Sequence, residues 1–190
     1  MLLTNILPFA FFASPIIAAP HTPPASNGEQ TFIDATIKNV LRNVVDNTTA
    51  LSVVVKAFDG NIQNSGPIII ASQGLLDALV KGTKIVQEAR SLDYIGLLDI
   101  TAPTLNLNKA VDKVSEAIVA KKPVFEKAGL VPVVLDQLKG QQKAAQGLVK
   151  TLLTKVPPGT VTLGSILSAP SLEGLEYAIR VYSGQAPSEG

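Results

Sequence analysis

The sequence predicts an all-α fold, an antiparallel bundle of about five amphipathic helices. Three observations carry that prediction. Apolar residues recur every three or four positions over long stretches, which is the spacing of one helical face. No stretch alternates with the period of two that marks a half-buried strand. Gly and Pro stand together between the periodic stretches, as in Gly66-Pro67 and Pro157-Pro158-Gly159, where they stop one helix and start the next. No fixed-period repeat points to a solenoid.

The chain opens on a segment of 18 residues without a charged side chain, rich in Leu2, Leu3, Ile6, Leu7, Phe9, Phe11, Phe12, Ile16 and Ile17. It reads as a secretory signal peptide, residues 1–18, cut after the small residue Ala18. The competing reading is a membrane anchor, but Pro8 and Pro15 interrupt a stretch barely long enough to span a bilayer. Its first residues also lack the Lys or Arg usual in a leader. Residues 19–29 have no hydrophobic period and read as a disordered arm, residues 30–184 as the helical domain, and residues 185–190 as a disordered tail. That tail has no apolar run for a GPI signal, so the expected product is secreted, possessing at most a non-covalent association with a cell wall.

Within the domain, Ile37, Val44, Leu51 and Phe58 stand seven apart with Ile33, Val40 and Val54 on a neighbouring row, which defines the first helix. Asn64, Ser65 and Gly66 then punctuate the chain, with Ser65 or Gly66 placed to cap and Pro67 suited to a first turn. The second helix carries the stripe Ile69, Ser72, Leu76, Leu79, Val80, Thr83 and Val86. A short apolar piece from Tyr94 to Ile100 is expected to stop at Thr101, Ala102 and Pro103. A third long helix then presents Leu105, Leu107, Ala110, Val111, Val114, Ile118 and Val119. Pro123 should kink or restart it, because the ring lacks a donor and clashes with the preceding turn. Gly129 closes the next short piece, and Pro132 opens a fourth helix with the inward row Val131, Val134, Leu135, Leu138, Ala145, Leu148, Val149 and Leu152, interrupted by Gln141 and Gln142. The final helix presents Leu163, Ile166, Leu167, Leu172, Leu175, Ile179 and Tyr182.

Composition excludes much chemistry. The absence of Cys removes disulfides, thiol nucleophiles and thiolate metal sites. The single His, His21, lies in the aperiodic arm, where neither a triad nor a metal cluster is expected. A net charge of +1 gives no electrostatic case for nucleic acid. No phosphate-binding, dinucleotide, zinc-protease or serine-hydrolase motif occurs, and the carboxylates are scattered over polar faces. The reading is a protein without catalytic residues, metal or cofactor. Asn47-Thr48-Thr49 is a sequon that matters if the leader is real.

What remains is an aliphatic bundle with a few polar side chains on its apolar stripes. If the helices leave an axial space, Val40, Val44, Leu76, Val80, Val111, Val114, Ile118, Leu135, Leu138, Leu148, Leu152, Leu175 and Ile179 would wall a tunnel for an acyl chain. Burying ~14 methylenes at ~0.8 kcal/mol each contributes on the order of 11 kcal/mol before ordering costs. Ser72, Thr83, Ser115 and Gln141 are the candidates to hydrogen-bond a carboxyl head group. The alternative is a close-packed core in which those groups bond to backbone.

The run Val55-Lys56-Ala57-Phe58-Asp59-Gly60, the spacing Leu76, Leu79, Val80, Gly82, and Phe125-Glu126-Lys127-Ala128-Gly129-Leu130 leading to Val134, Leu135, Leu138 and Lys139 give the chain a family likeness, and Lys155-Val156-Pro157 fits it too. Over residues 32–182 it resembles the fungal hydrophobic surface-binding protein A and cell-wall galactomannoprotein family. The resemblance implies a secreted fungal helical domain, with two roles in view. One encloses a fatty acid or other lipid between helices. The other adsorbs to hydrophobic surfaces and recruits a secreted esterase or cutinase, or serves as a cell-wall mannoprotein antigen. Wall-anchored relatives carry Ser/Thr-rich stalks and GPI signals, and this sequence shows neither.

Overall fold

A computed structural model describes residues 27–185, with side chains from residue 36 onward. The leader, His21, most of the arm and the last five residues lie outside the described residues. Helix α1 spans Asn27–Ala57, starting three residues before the expected start of the helical domain at residue 30. Its row Ile37, Val44, Leu51 and Phe58 is buried, as the seven-residue spacing requires. A 3₁₀ turn at Ile62–Asn64 follows. Helix α2 spans Gly66–Glu88 and has Pro67 in its first turn. Ser65 occupies the capping position, but its hydroxyl donates back to Ile62 O at 2.7 Å rather than accepting from the helix.

Helix α3 spans Tyr94–Ala120 and is launched by Asp93, whose carboxylate accepts the Gly96 N–H at 2.8 Å. Here the structure corrects the sequence reading, because Pro103 lies inside a continuous helix. Leu97, Ile100, Thr104, Leu107, Val111, Val114 and Ile118 keep one inward face across it. Proline removes a donor and crowds the preceding turn, and the burial of its ring together with this unbroken face outweighs that cost. The expected restart at Pro123 is observed: α4 spans Lys122–Lys127 and ends at Gly129, whose φ of +70° is the left-handed turn that glycine tolerates. Helix α5 spans Val131–Leu153 and α6 spans Val161–Tyr182, separated by the Pro157-Pro158-Gly159 loop. Among the described residues there is no strand, and no helix is long and apolar enough to cross a membrane.

The five long helices close into a ring in the order α1, α2, α5, α6, α3 and back to α1. Successive long helices run antiparallel, as short connections require. Ring closure adds parallel neighbours: Ser52 of α1 donates to Lys113 O of α3, Ser72 of α2 meets α5, and Tyr182 of α6 donates to Ile118 O of α3. Close approach of α1 and α2 depends on Gly82, where a Cβ would lie 2.7 Å from Val40 Cγ1. One end of the ring, called the upper end, holds α4. Phe125 there stacks on Phe58 at 5.1 Å and tilts against Tyr182. At the lower end, Lys155 donates to Gln87 O and Ala89 O, while Leu92 N donates to Lys155 O, so the α2–α3 connection is tied to the end of α5.

Candidate functional site

Five helices in a ring leave more axial space than aliphatic side chains fill here. Three apolar chambers follow one another down the axis. The upper, about 140 Å³, lies among Leu51, Val55, Ile68, Ile118, Phe125, Val134 and Leu138. The middle, about 60 Å³, lies among Val44, Leu75, Leu79, Val111, Val114, Leu148 and Leu175. The lower, about 40 Å³, lies among Leu97, Ile100, Leu153, Val156 and Leu167. Gln141 borders both the upper and the middle chamber, and Thr104, Val149, Leu152 and Ser168 border both the middle and the lower. The upper chamber opens to solvent between the parallel first turns of α2 and α5, where its walls Ile69 and Val133 are 58% and 49% exposed.

The sequence-derived set divides accordingly. Ile118 and Leu138 wall the upper chamber, Val44, Val111, Val114, Leu148 and Leu175 the middle, and Leu152 both lower chambers. Val40, Leu76, Leu135 and Ile179 pack elsewhere: Val40 fills the space over Gly82, and the other three are half-buried without reaching a chamber. Val80 is a correction, being 44% exposed. The inward face of α2 is Ser72, Leu75, Ala78, Leu79, Gly82 and Val86. That face is turned toward Leu75 and Ala78 because Gly82 lets α1 approach on that side.

Of the four polar candidates, two come together. Gln141 Nε2 donates to Ser72 Oγ at 2.9 Å, and Ser72 Oγ donates to Gln137 Oε1 at 3.0 Å, a cluster between upper and middle chambers with Gln141 and Ser72 both buried. Gln137, one turn before Gln141, completes it and escaped the sequence reading; its i, i+4 spacing to Gln141 was the available signal. Thr83 takes no part, since its hydroxyl donates to Leu79 O within its own helix at 2.8 Å. Ser115 is buried without a hydrogen-bond partner and sits against the α6 backbone near Gly174, away from the chambers. A second buried pair, Ser171 donating to Asn108 Oδ1 and Asn108 donating to Leu167 O, joins α6 to α3 beside the middle chamber, where Ser171 is part of the wall. Nothing in the periodicity distinguished it.

Asn47 of the sequon lies mid-helix, with Nδ2 donating to Asn43 O at 2.8 Å and Oδ1 facing Gly74 of α2. A shallow cleft of about 300 Å³ lies off the axis between α1 and α3, beside Pro103 and bordered by Lys38, Arg42, Asp46 and Asp99.

A ring of amphipathic helices around a line of apolar chambers, interrupted only by uncharged polar side chains, defines the class: an all-helical domain with an apolar interior. The chain belongs to the hydrophobic surface binding protein A family, whose model matches residues 35–154. Among sequence relatives, cell wall mannoprotein 1 of Aspergillus flavus is 29% identical over 153 residues, covering 79% of this chain and 55% of that protein. Its Aspergillus fumigatus counterpart is 27% identical over 157 residues, covering 83% and 55%. The chain thus spans about half the length of the curated relatives it matches. Ligand binding domain 2 of the Penicillium marneffei MP1 protein, solved with multiple arachidonic acids, superposes with a TM-score of 0.75 at 20% identity, covering 80% of this chain and 96% of that one. AFMP4P in complex with palmitic acid gives 0.75 at 21% identity, covering 78% and 99%. At these identities the likeness establishes the fold.

Proposed function

We propose that this chain is a secreted, non-enzymatic lipid carrier that encloses the acyl chain of a fatty acid along its helical axis. The observation that carries the reading is the alignment of three aliphatic chambers inside the ring, the first open to solvent. The presence of arachidonic and palmitic acids in structures of the same fold supports it. Pockets for drug-sized ligands run to ~300–1,000 Å³, so a long chain spans more than one chamber, with Gln141, Leu152 and Thr104 turning aside as it enters. Ser72 and Gln141 are the polar groups offered to the head group, and the chain runs from them into the middle chamber.

Extraction and native mass spectrometry of the protein secreted by a fungal host should find a co-purifying single-chain lipid. Val114→Trp, filling the middle chamber, and Leu138→Trp, filling the upper one, should each cut uptake at least ~10-fold while helicity is retained. Unchanged uptake by both folded variants would place the ligand outside the bundle. A second reading, adsorption to hydrophobic solids with recruitment of an esterase, is favoured by exposed aliphatics at both ends: Ile62, Ile69 and Ile70 above, Ile95, Leu98 and Ile166 below. Binding to polyester beads that persists after saturation with lipid is its test. Either role suits the extracellular or wall location of the relatives' names.

A further inference from the structure

The polar cluster of Ser72, Gln137 and Gln141 consists of one hydroxyl and two carboxamides. Among the described residues, none that walls the three axial chambers carries a charge. On the elements around the cluster, Lys56 of α1, Asp77 of α2, Lys113 and Glu116 of α3, Glu126 of α4, and Asp136 and Lys139 of α5 are all exposed. Glu173 and Glu176 of α6 are exposed as well. Half-buried cations nearby are engaged elsewhere: Lys121 donates to Phe58 O, Lys122 pairs with Glu126 and Arg180 with Glu176. The Tyr182 phenol donates to Ile118 O, and burial pushes its pKa up, which keeps it neutral. The N-termini of α2 and α5 lie more than a turn above Ser72 and Gln137, beyond the reach over which a helix end stabilises an anion.

A carboxylate placed at this cluster would lose its water shell without gaining a counter-charge, whereas an uncharged donor–acceptor group loses little. We infer that the site selects single-chain lipids whose head group is uncharged, such as an alcohol, a primary amide or a protonated carboxylic acid, over the fatty-acid anion. This rests on the carrier reading above and narrows its ligand class. It follows that a fatty acid binds with its proton: the affinity is full below the free acid's pKa and falls about ten-fold for each pH unit above it, until the raised pKa of the bound acid is reached.

The test is titration calorimetry of the secreted protein with decanol and with decanoic acid, from pH 5 to pH 8, with helicity followed alongside. The expected result is decanol affinity that stays constant, decanoic acid affinity that falls by on the order of 100-fold or more, and decanol the tighter ligand at pH 8. Gln137→Lys, which brings an ammonium to a half-buried position beside the cluster, should then restore decanoate binding at pH 8. Decanoic acid affinity that is flat with pH and at least equal to that of decanol would overturn the inference, leaving the carrier reading intact with the carboxylate in water at the mouth. Binding of neither ligand would overturn the carrier reading itself, and this inference with it.

Discussion

At the scale of the residue, side-chain chemistry is decided by the nearest partner. Ser72 and Thr83 sit on the same helix and share an apolar stripe in the sequence, yet Thr83 satisfies itself on the carbonyl four residues back, while Ser72 reaches across to α5. Glycines show the same dependence on what lies opposite. A methyl group at Gly82 would meet Val40 at 2.7 Å, so Gly82→Ala should destabilise the fold by about 1–3 kcal/mol through overpacking. In α5, a methyl group added at Gly147 would meet nothing within 4 Å, and Gly147→Ala should stabilise by about 0.5–1 kcal/mol through helix propensity. Urea denaturation of the two variants should move the midpoint in opposite directions. Asp59 gives a pH signature. Its carboxylate accepts the Asn61 N–H and the Asn64 side-chain amide, and these bonds hold its pKa below the ordinary aspartate value. The contribution is therefore complete above about pH 4 and fades as pH falls through the lowered value. An NMR titration should give Asp59 a lower midpoint in the native protein than in Asn64→Ala.

At the scale of the element, capping and facing decide where helices begin, end and turn. Asp93 starts α3, and the inward face that follows carries the helix through Pro103. A proline alone reads as a stop in sequence, because its lost donor is visible there and the burial of its ring is not. The phase of α2 escaped for a similar reason: Leu75, Leu76, Leu79 and Val80 offer two apolar rows, and Gly82 against Val40 selects the one containing Leu75 and Leu79. The junction between α2 and α3 depends on a contact across 66 residues, Lys155 Nζ to Ala89 O. Replacing Lys155 with Met leaves the Gln87 and Ala89 carbonyls without this charge-assisted donor, at a cost of about 1–3 kcal/mol. Hydrogen exchange should quicken around residues 87–92 in that variant, while α5 above residue 148 should exchange as before.

At the scale of the whole molecule, ring closure creates the chambers. Hydrophobic burial favours bringing the inward faces together, but five helices enclose an axis that Leu, Ile and Val leave partly empty, and empty apolar space costs dispersion contacts. A ligand that fills it should stabilise the native state. At a free concentration ~100 times Kd the gain is about 2.7 kcal/mol, a rise in Tm of roughly 5–10 °C for a domain of this size. Differential scanning calorimetry with and without decanol checks this, and the rise should fall to about half or less in Val114→Trp, whose uptake is at least ~10-fold weaker.

The sequence by itself determined the helical class, the five long amphipathic segments and most of their ends, because a helix is specified by periods, caps and breakers that act within a few residues. It also marked the aliphatic walls around Val111, Val114, Leu138 and Leu148, and the polar intrusions at Ser72 and Gln141. Tertiary structure alone decided that α5 lies between α2 and α6, that Val80 faces solvent, and that Ser72 meets Gln141 across 69 positions of the chain. These outcomes follow from which ridges and glycine hollows fit one another across helices, a property of pairs of surfaces that no single helical period contains.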